Sequence, residues 1–427
     1  MESVWVTLFV CVACYAYNRK SVSFVSPKLI EDGLDRSHAG LILSCQNGAF
    51  ALSKFIVGVL SDKTNPRHVF IFGLLLSAAA TLAFSSAPVT SISVLCGLWS
   101  LNGLAQGCGW PSCAKIIRQK ASPSQFGTLW SVLSSGNNFS GSLSPFISSY
   151  IVLHYGWRTS VFSAGCASVV LGILGAAALK YSLGTDENSN KEHEKSTQQK
   201  SSKEGKDAAD GSLIDLLLDP FLIMVSAGYF MVFCARSVLL DWGQLYLIED
   251  RGRSHHEGSA FASSLETGGF LGQIAAGFIT DKLINLFTGS SQSSVRLSVA
   301  VVSMLGSVSL LHALQVTVTE ESSTAWITSL GFALGASLYG PIAIFGIVST
   351  ESAPAHLSGK SNAVAALAAN LGAMTSGFPC CYLAKHYSWS TVFFILEVTT
   401  GVLLLIIFCF RNLQPKLLQK EAQKKEK

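Results

Sequence analysis

Charged residues are scarce in this chain, and the sequence lacks the motifs of common enzyme sites. Only 13% of its 427 residues are Asp, Glu, Lys or Arg, and 49% are hydrophobic. A soluble domain has about 25% charged residues, so a soluble globular fold is excluded. No His/Asp/Glu cluster has metal-ligand spacing, and no nucleophile motif is present. We therefore expect a protein that is not an enzyme, with no cofactor, no metal and no nucleic-acid partner.

A disulfide framework and a signal peptide are also missing. The eleven cysteines are scattered through apolar stretches, as Cys11, Cys14 and the pair Cys380-Cys381 illustrate. We interpret them as small buried residues rather than as disulfides or metal ligands. The N-terminus carries Glu2 and no basic segment, which is not typical of a cleaved signal peptide. The first hydrophobic run is therefore expected to stay in the protein.

Long hydrophobic runs are what the chain has in abundance. Each run has about 20 residues or more, enough to cross a hydrocarbon core about 30 Å thick. They are 4–30, 40–60, 68–87, 91–117, 126–152, 158–183, 221–249, 258–281, 295–318, 324–350, 359–385 and 389–411. We predict an all-α membrane protein with twelve transmembrane helices in two six-helix bundles. The bundles are 1–183 and 221–411, joined by a polar linker at 184–220 and followed by a tail at 412–427.

The two bundles retain traces of a duplication. His154-Tyr155-Gly156-Trp157 recurs as His386-Tyr387-Ser388-Trp389, and the stretch 58–63 recurs as 277–282. Because each repeat has an even number of spans, the halves share one orientation about an axis along the membrane normal. Lys and Arg are concentrated on the side of the termini and linker, about 20 against about 6 on the other side, which predicts that both termini are cytosolic.

Four basic residues lie inside the predicted spans. Arg19 and Lys20 are near the middle of the first run, Lys54 is in the second, and Arg236 is in the seventh, the counterpart of the first. A lone Arg at the centre of a spanning helix costs roughly 2.5 to 3.5 kcal/mol, so each needs a partner. The symmetry predicts that Arg19 and Arg236 face each other, unneutralised, across the interface between the bundles.

Charge counting inside the spans indicates an anionic ligand. Asp241 and Glu266 are the clear acidic residues there, which leaves a surplus of about +2. A phosphate monoester carries about −1.5 to −2 at neutral pH and matches this surplus. The planar fork of Arg suits phosphate oxygens. Because Lys20 is about 100° around the helix from Arg19, we assign Arg19 to the ligand and Lys20 to a salt bridge with Asp241 or Glu266.

Several stretches resemble a known transporter family. Asn18-Arg19-Lys20, Ser53-Lys54-Phe55, Arg236 to Trp242, and Glu266 fall where the organophosphate:phosphate antiporters of the major facilitator superfamily carry similar residues. The longer stretches 101–107, 124–128, 339–343 and 384–391 extend the likeness over nearly the whole chain. Within that family the chain resembles the branch that carries glucose 6-phosphate in the endoplasmic reticulum.

The resemblance implies exchange of glucose 6-phosphate for inorganic phosphate by alternating access of the two bundles. It also implies a major facilitator fold, functional coupling to a lumenal-facing glucose-6-phosphatase, and a multi-pass protein of the endoplasmic reticulum membrane. Lys424 to Lys427 resembles a dilysine retrieval signal. Arg19, Lys54 and Arg236 are implied as phosphate contacts, and Lys20, Asp241 and Glu266 as salt bridges between the halves. Asn137 stands where bacterial relatives often carry a substrate-proximal His.

Several questions stay open at this point. The loops that end in Asp62 and Asp281 are expected to latch one transport state at the cytosolic face. A proton-coupled carrier that uses Glu266 or Asp241, and a membrane sensor that binds a phosphate ester without moving it, are alternatives. Candidates for reading the sugar are Tyr17, Gln46, Asn47, Gln106, Asn137, Trp242, Gln244 and Tyr339.

Overall fold

The computed structural model describes residues 2–60, 65–120, 126–183, 216–287, 291–354, 357–416 and 418–419, and its regular structure there is helical. The helices are α1 Glu2–Glu31, α2 Arg36–Leu60, α3 Pro66–Ser86, α4 Ile92–Gln106, α5 Gly109–Lys120, α6 Phe126–Leu183, α7 Pro220–Glu249, α8 His255–Leu286, α9 Gln292–Thr317, α10 Thr324–Glu351, α11 Ser358–Thr375, α12 Phe378–His386 and α13 Trp389–Phe410.

These helices form the twelve predicted spans. α6 contains two of them, because Gly156 breaks it with a φ of 83°, a conformation that glycine adopts readily and other residues avoid. α4 with α5 makes the fourth span, and α11 with α12 makes the eleventh. The sequence-based ends agree with the observed ends to within five residues, so the hydrophobic runs located the spans well.

Seven helices in the described ranges are long and apolar enough to cross a membrane by length and composition alone. They do not include α1, α2 and α8, which carry Arg19, Lys54 and Glu266, or the interrupted pair α4 and α5. An interior charge or a break does not by itself remove a span from this set, because α7 carries Arg236 and Asp241 and the interrupted pair α11 and α12 is included.

The two ends of the second half meet at the side of the termini. Asp219 caps α7 by accepting a hydrogen bond from the Phe221 N–H, and its other oxygen accepts one from the Lys416 N–H. Three sequence-based predictions lie outside the described residues: the linker as far as position 215, Asp62, and the Lys424–Lys427 pattern.

Two interfaces join the N-terminal half (residues 2–183) to the C-terminal half (216–419). In one, α2 packs on α11 and α12, and the Asn47 side chain donates to the Ala373 carbonyl at 3.1 Å. In the other, the first arm of α6 packs on α8, and the Thr267 hydroxyl donates to the Ser142 hydroxyl at 2.9 Å. The cavity described below lies between these two interfaces.

The halves are tied together by ion pairs at the side opposite the termini. Three pairs of side chains join the connections between neighbouring spans there. They are the ion pairs Arg36–Glu249 at 3.0 Å and Lys385–Asp35 at 2.5 Å, and a hydrogen bond between His255 and Glu31 at 2.9 Å. We call these three pairs the distal gate. Across the described residues, the one other ion pair between the halves is Lys20–Asp241 in the interior. The molecule is therefore closed at its distal side.

Candidate functional site

Asn18 anchors the middle of α1 within the N-terminal half. It is fully buried, and its Oδ1 accepts hydrogen bonds from Asn102 at 2.7 Å and Thr81 at 3.0 Å. Its Nδ2 donates to the Ser168 hydroxyl at 3.0 Å. These bonds fix the rotation of α1 about its axis, and they thereby turn the next residue, Arg19, toward the space between the halves.

Arg19 and Lys54 lie on the same aromatic ring. The Arg19 guanidinium carbon is 4.9 Å from the centre of the Phe50 ring, and the Lys54 ammonium is 4.3 Å from it. Among the residues that the structure describes, neither cation has a salt-bridge partner, and Arg19 Nε has no hydrogen-bond partner. Cation–π contact stabilises each cation, but both positive charges remain uncompensated.

Lys20 pairs with Asp241 across the halves. The Nζ–Oδ1 distance is 2.7 Å, and only 1% of the Asp241 side chain is exposed. Of the two partners that the sequence left open for Lys20, the structure therefore shows Asp241. The pair is neutral and joins α1 to α7 next to Arg19.

Arg236 differs from the expectation of an unneutralised arginine. Its Nη2 is 3.1 Å from Oε1 of Glu266, and its guanidinium lies 4.6 Å from the centre of the Tyr339 ring. Glu266 belongs to α8 of the same half, so the predicted salt bridge of Glu266 between the halves is not observed. The neighbouring helices α7 and α8 bring the two charges together locally, which the symmetry argument overlooked.

The interior charge is therefore asymmetric. Lys20–Asp241 and Arg236–Glu266 are each neutral, and Arg19 with Lys54 leaves a surplus of +2 among the interior residues just described. The sequence predicted a surplus of this size, but shared it between the two halves. In the structure both unpaired cations belong to the N-terminal half and flank Phe50.

A small cavity of about 30 Å³ lies between the halves at this level. Its lining includes Arg19, Lys20, Asn137, Arg236 and Glu266. This space holds about one or two water molecules, so a sugar phosphate requires the halves to move apart on one side. Five of the predicted binding and salt-bridge residues thus line one cavity, and Lys54 lies near Arg19 on the Phe50 ring.

Most of the amides and the Trp that were candidates for the sugar are used inside the protein. Their polar nitrogens donate to protein acceptors: Gln46 to the Arg19 carbonyl, Asn47 to the Ala373 carbonyl, Gln106 to Asn18, Trp242 to the Ser376 carbonyl and Gln244 to Ser259. By contrast, the hydroxyls of Tyr17 and Tyr339 are buried and make no hydrogen bond of normal geometry to any described residue. Tyr17 and Tyr339 therefore stay candidates on the strength of their free hydroxyls, and Asn137 stays one because it lines the cavity.

The expected latch at Asp281 is not formed in this conformation. Asp281 lies 3.5 Å from Arg296, which also pairs with Glu351 at 3.0 Å. All three residues belong to the C-terminal half, so this cluster stabilises α8, α9 and α10 relative to one another. Its counterpart Asp62 is outside the described residues.

The distal gate was missed by sequence reasoning. Its six residues lie at span ends and in connections, where charged residues are ordinary. One signal was available: the connections after the first, seventh and eleventh spans lie on the same side, and they carry opposite charges in the two halves, such as Asp35 and Lys385. No group of three or more His, Cys, Asp or Glu that could hold a metal ion occurs within the described ranges.

Comparisons with known proteins agree on one family. A family model described as Major Facilitator Superfamily matches residues 8–377. The chain is 27% identical to the membrane sensor protein UhpC of Escherichia coli (strain K12), over 96% of the chain and 92% of that protein. It is also 27% identical to a probable hexose phosphate transport protein of Chlamydia pneumoniae, over 98% of the chain and 93% of that protein.

Solved structures agree on the fold. A bacterial homologue of the human lysosomal transporter Spinster superposes with a TM-score of 0.69, covering 98% of this chain and 97% of that one, at 14% sequence identity.

Proposed function

Because the chain belongs to the Major Facilitator Superfamily, we propose that it transports a phosphorylated sugar, and that it exchanges glucose 6-phosphate for inorganic phosphate. The name of the Chlamydia pneumoniae relative supports a hexose phosphate as the substrate class. The resemblance of the site sequences to the glucose-6-phosphate translocase of the endoplasmic reticulum supports the specific sugar.

The observation that carries the proposal is the uncompensated pair Arg19 and Lys54. Two cations without carboxylate partners in a low-dielectric interior are costly, and a dianion would remove that cost. A phosphate monoester has this charge and presents oxygens to the Arg19 fork and to the Lys54 point charge. Arg236 binds Glu266 through Nη2, and its Nε has no hydrogen-bond partner in the described residues. The Nε–H group is therefore available to a ligand.

Charge cancellation also explains exchange. In the conformation shown, the distal gate closes one side of the interior. Passing from one transport conformation to the other requires the two halves to enclose Arg19 and Lys54, which keeps both cations away from water. That step is favourable with a bound dianion and costly without one. Both glucose 6-phosphate and inorganic phosphate satisfy this condition. The carrier can therefore cross with one of them bound and return with the other.

The experiment that tests the proposal is flux in phosphate-loaded liposomes. Wild-type protein should take up labelled glucose 6-phosphate, and Arg19→Ala or Lys54→Ala should reduce uptake by at least a hundredfold. Arg411→Ala is a matched control, because Arg411 also lies on an aromatic ring, at 4.3 Å from Phe408, but outside the cavity. Normal flux in both site variants would refute the proposal, and loss in the control would point to general damage.

We place the exchange in the endoplasmic reticulum membrane, with both termini cytosolic and a lumenal-facing glucose-6-phosphatase as a functional partner. The resemblance and the Lys424–Lys427 pattern support this location. The full chain with Lys424→Ser and Lys425→Ser should leave the endoplasmic reticulum in fluorescence imaging. Retention of that variant would remove the support that the tail gives.

A sensor is the second candidate, because one relative is named a membrane sensor protein. A sensor would bind glucose 6-phosphate in detergent and show no flux in the same liposomes. A proton-coupled carrier would instead show uptake that follows a pH gradient and needs no internal phosphate. These two outcomes differ from each other and from exchange.

A further inference from the structure

Three polar atoms without hydrogen-bond partners meet where α7, α8 and α10 come together. Oε2 of Glu266, Nε of Arg236 and the Tyr339 hydroxyl are buried and make no hydrogen bond of normal geometry within the described residues. Glu266 is 93% buried and Tyr339 is 96% buried, since 7% and 4% of their surfaces are exposed. Leaving buried polar atoms without partners is unfavourable, so a ligand that satisfies them would gain affinity.

The three residues form a compact cluster. The Arg236 guanidinium bridges Glu266 Oε1 at 3.1 Å and the Tyr339 ring at 4.6 Å. The Tyr339 hydroxyl lies close to both charged partners. Glu266 and Arg236 also line the cavity that Arg19 lines from the opposite half. Glu266 and Arg236 therefore face Arg19 across the cavity, and Tyr339 packs against Arg236.

Two glycines leave room for the cluster. A Cβ on Gly141, in the first arm of α6, would lie 2.7 Å from Cδ and 3.1 Å from Oε2 of Glu266. A Cβ on Gly269 would lie 2.6 to 2.8 Å from three atoms of the Tyr339 ring. The close approach of these backbones holds the carboxylate and the phenol in place, so their free atoms are presented in fixed directions.

The chemistry of the free atoms suits hydroxyl groups rather than phosphate. A carboxylate oxygen accepts hydrogen bonds and repels a phosphate dianion, whereas a sugar hydroxyl is a donor and an acceptor at once. The Tyr339 hydroxyl and Arg236 Nε can donate to the same sugar. A charged hydrogen bond of this kind is the stronger sort.

We propose that Glu266 and Tyr339 bind the hydroxyls of the sugar, while Arg19 and Lys54 hold its phosphate at the other end of the cavity. This proposal rests on the proposed function and specifies the orientation of the bound substrate. The phosphate lies toward the N-terminal half and the sugar toward the C-terminal half. Inorganic phosphate, which has no sugar, uses the first end alone.

The test compares two ligands in each variant. In Glu266→Gln the amide oxygen can still accept the hydrogen bond from Arg236, but an NH₂ donor replaces the second carboxylate oxygen, which was an acceptor. The substitution also removes one negative charge, so the net charge of the cavity rises by one. We expect glucose 6-phosphate to bind about tenfold more weakly and inorganic phosphate to bind more tightly, measured as competition against labelled phosphate in phosphate–phosphate exchange. In Tyr339→Phe, which keeps the ring under Arg236, the ratio of glucose 6-phosphate affinity to phosphate affinity should fall several-fold.

Deoxy analogues identify the hydroxyl. For the one deoxyglucose 6-phosphate that lacks the hydroxyl bound by Glu266, Glu266→Gln should cause no loss of affinity and should strengthen binding as it does for inorganic phosphate, while the other analogues should keep the tenfold loss. Tyr229→Phe is the matched control for Tyr339→Phe, because Tyr229 on α7 is outside the lining of the cavity and packs its ring edge-on against Phe233 at 5.1 Å.

Equal losses for both ligands in Glu266→Gln, or no loss for glucose 6-phosphate in either site variant, would overturn the proposal. Failure of the proposed function would look different. In that case the wild-type protein itself would show no competition by glucose 6-phosphate or no exchange of phosphate.

Discussion

Three consecutive side chains on α1 face three different surroundings, because an α-helix turns by about 100° per residue. Asn18 bonds inside its own half, Arg19 faces the cavity, and Lys20 reaches Asp241 in the other half. Any rotation of α1 would change all three sets of contacts at once. The position of Arg19 is therefore fixed by its neighbours rather than by a partner of its own.

Swapping the two charged residues tests the Lys20–Asp241 pair. Lys20→Ala leaves Asp241 buried without a partner, and breaking a buried pair costs about 3 to 5 kcal/mol. We expect a lower unfolding temperature in detergent and almost no exchange. The double variant Lys20→Asp with Asp241→Lys restores a pair of opposite sign and should recover part of both. If the double variant is no better than the single ones, the pair does not join the halves in the working cycle.

The sequence predicted the number of uncompensated interior charges, because those charges can be counted without a structure. It did not predict their location. Arg236 has carboxylates both five residues ahead on its own helix and on α8, and the rotation of α7 and α8 decides which one it meets. Aromatic contacts such as Phe50 with Arg19 and Lys54 have no sequence signature of their own.

Helix ends rather than helix centres hold the distal side closed. The gate joins the connection after α1 to the ends of α7, α8 and α12. A hydrogen bond from Lys385 lowers the pKa of Asp35 to about 2, below its ordinary value of about 3.9. The stabilisation from this pair is therefore complete above about pH 4, and it is lost only as the pH falls through about 2.

The contribution of the Lys385–Asp35 pair to the closed gate can be tested with spin labels. Spin labels at the exposed positions Asp32 and Tyr387 should report a short distance in wild type that does not change between pH 5 and pH 8. Lys385→Gln should shift the population toward longer distances over that whole pH range. Arg253→Gln is the control, because Arg253 pairs with Glu257 inside one half. An unchanged distance distribution in Lys385→Gln would show that the pair does not hold the gate closed.

Helix boundaries were predictable to within five residues, because hydrophobic runs mark them directly. The interruptions between α4 and α5 and between α11 and α12 were not predicted. Glycines mark both breaks, as Gly107 and Gly377, but glycines such as Gly331 and Gly335 also lie inside an unbroken helix, so they do not distinguish a break. The gate pairs were also beyond prediction, since they depend on how the ends of distant helices meet.

At the scale of the whole molecule, one sequence has to serve two conformations. The duplication and the distribution of Lys and Arg predict the topology, but neither says which side is closed. The contacts in the structure show that the distal side is closed. In the described part of the chain, the charged contacts between the halves lie at the distal side and at Lys20–Asp241. The surplus of +2 then has to be covered whenever the other side closes.

The most direct test of this account is the dependence of uptake on internal phosphate. Liposomes that contain the purified full-length protein are prepared with or without internal phosphate, and the initial uptake of labelled glucose 6-phosphate is measured. The account predicts rapid uptake in loaded liposomes and almost none in unloaded ones, because the unliganded cavity cannot close over Arg19 and Lys54. Equal uptake in both would contradict it.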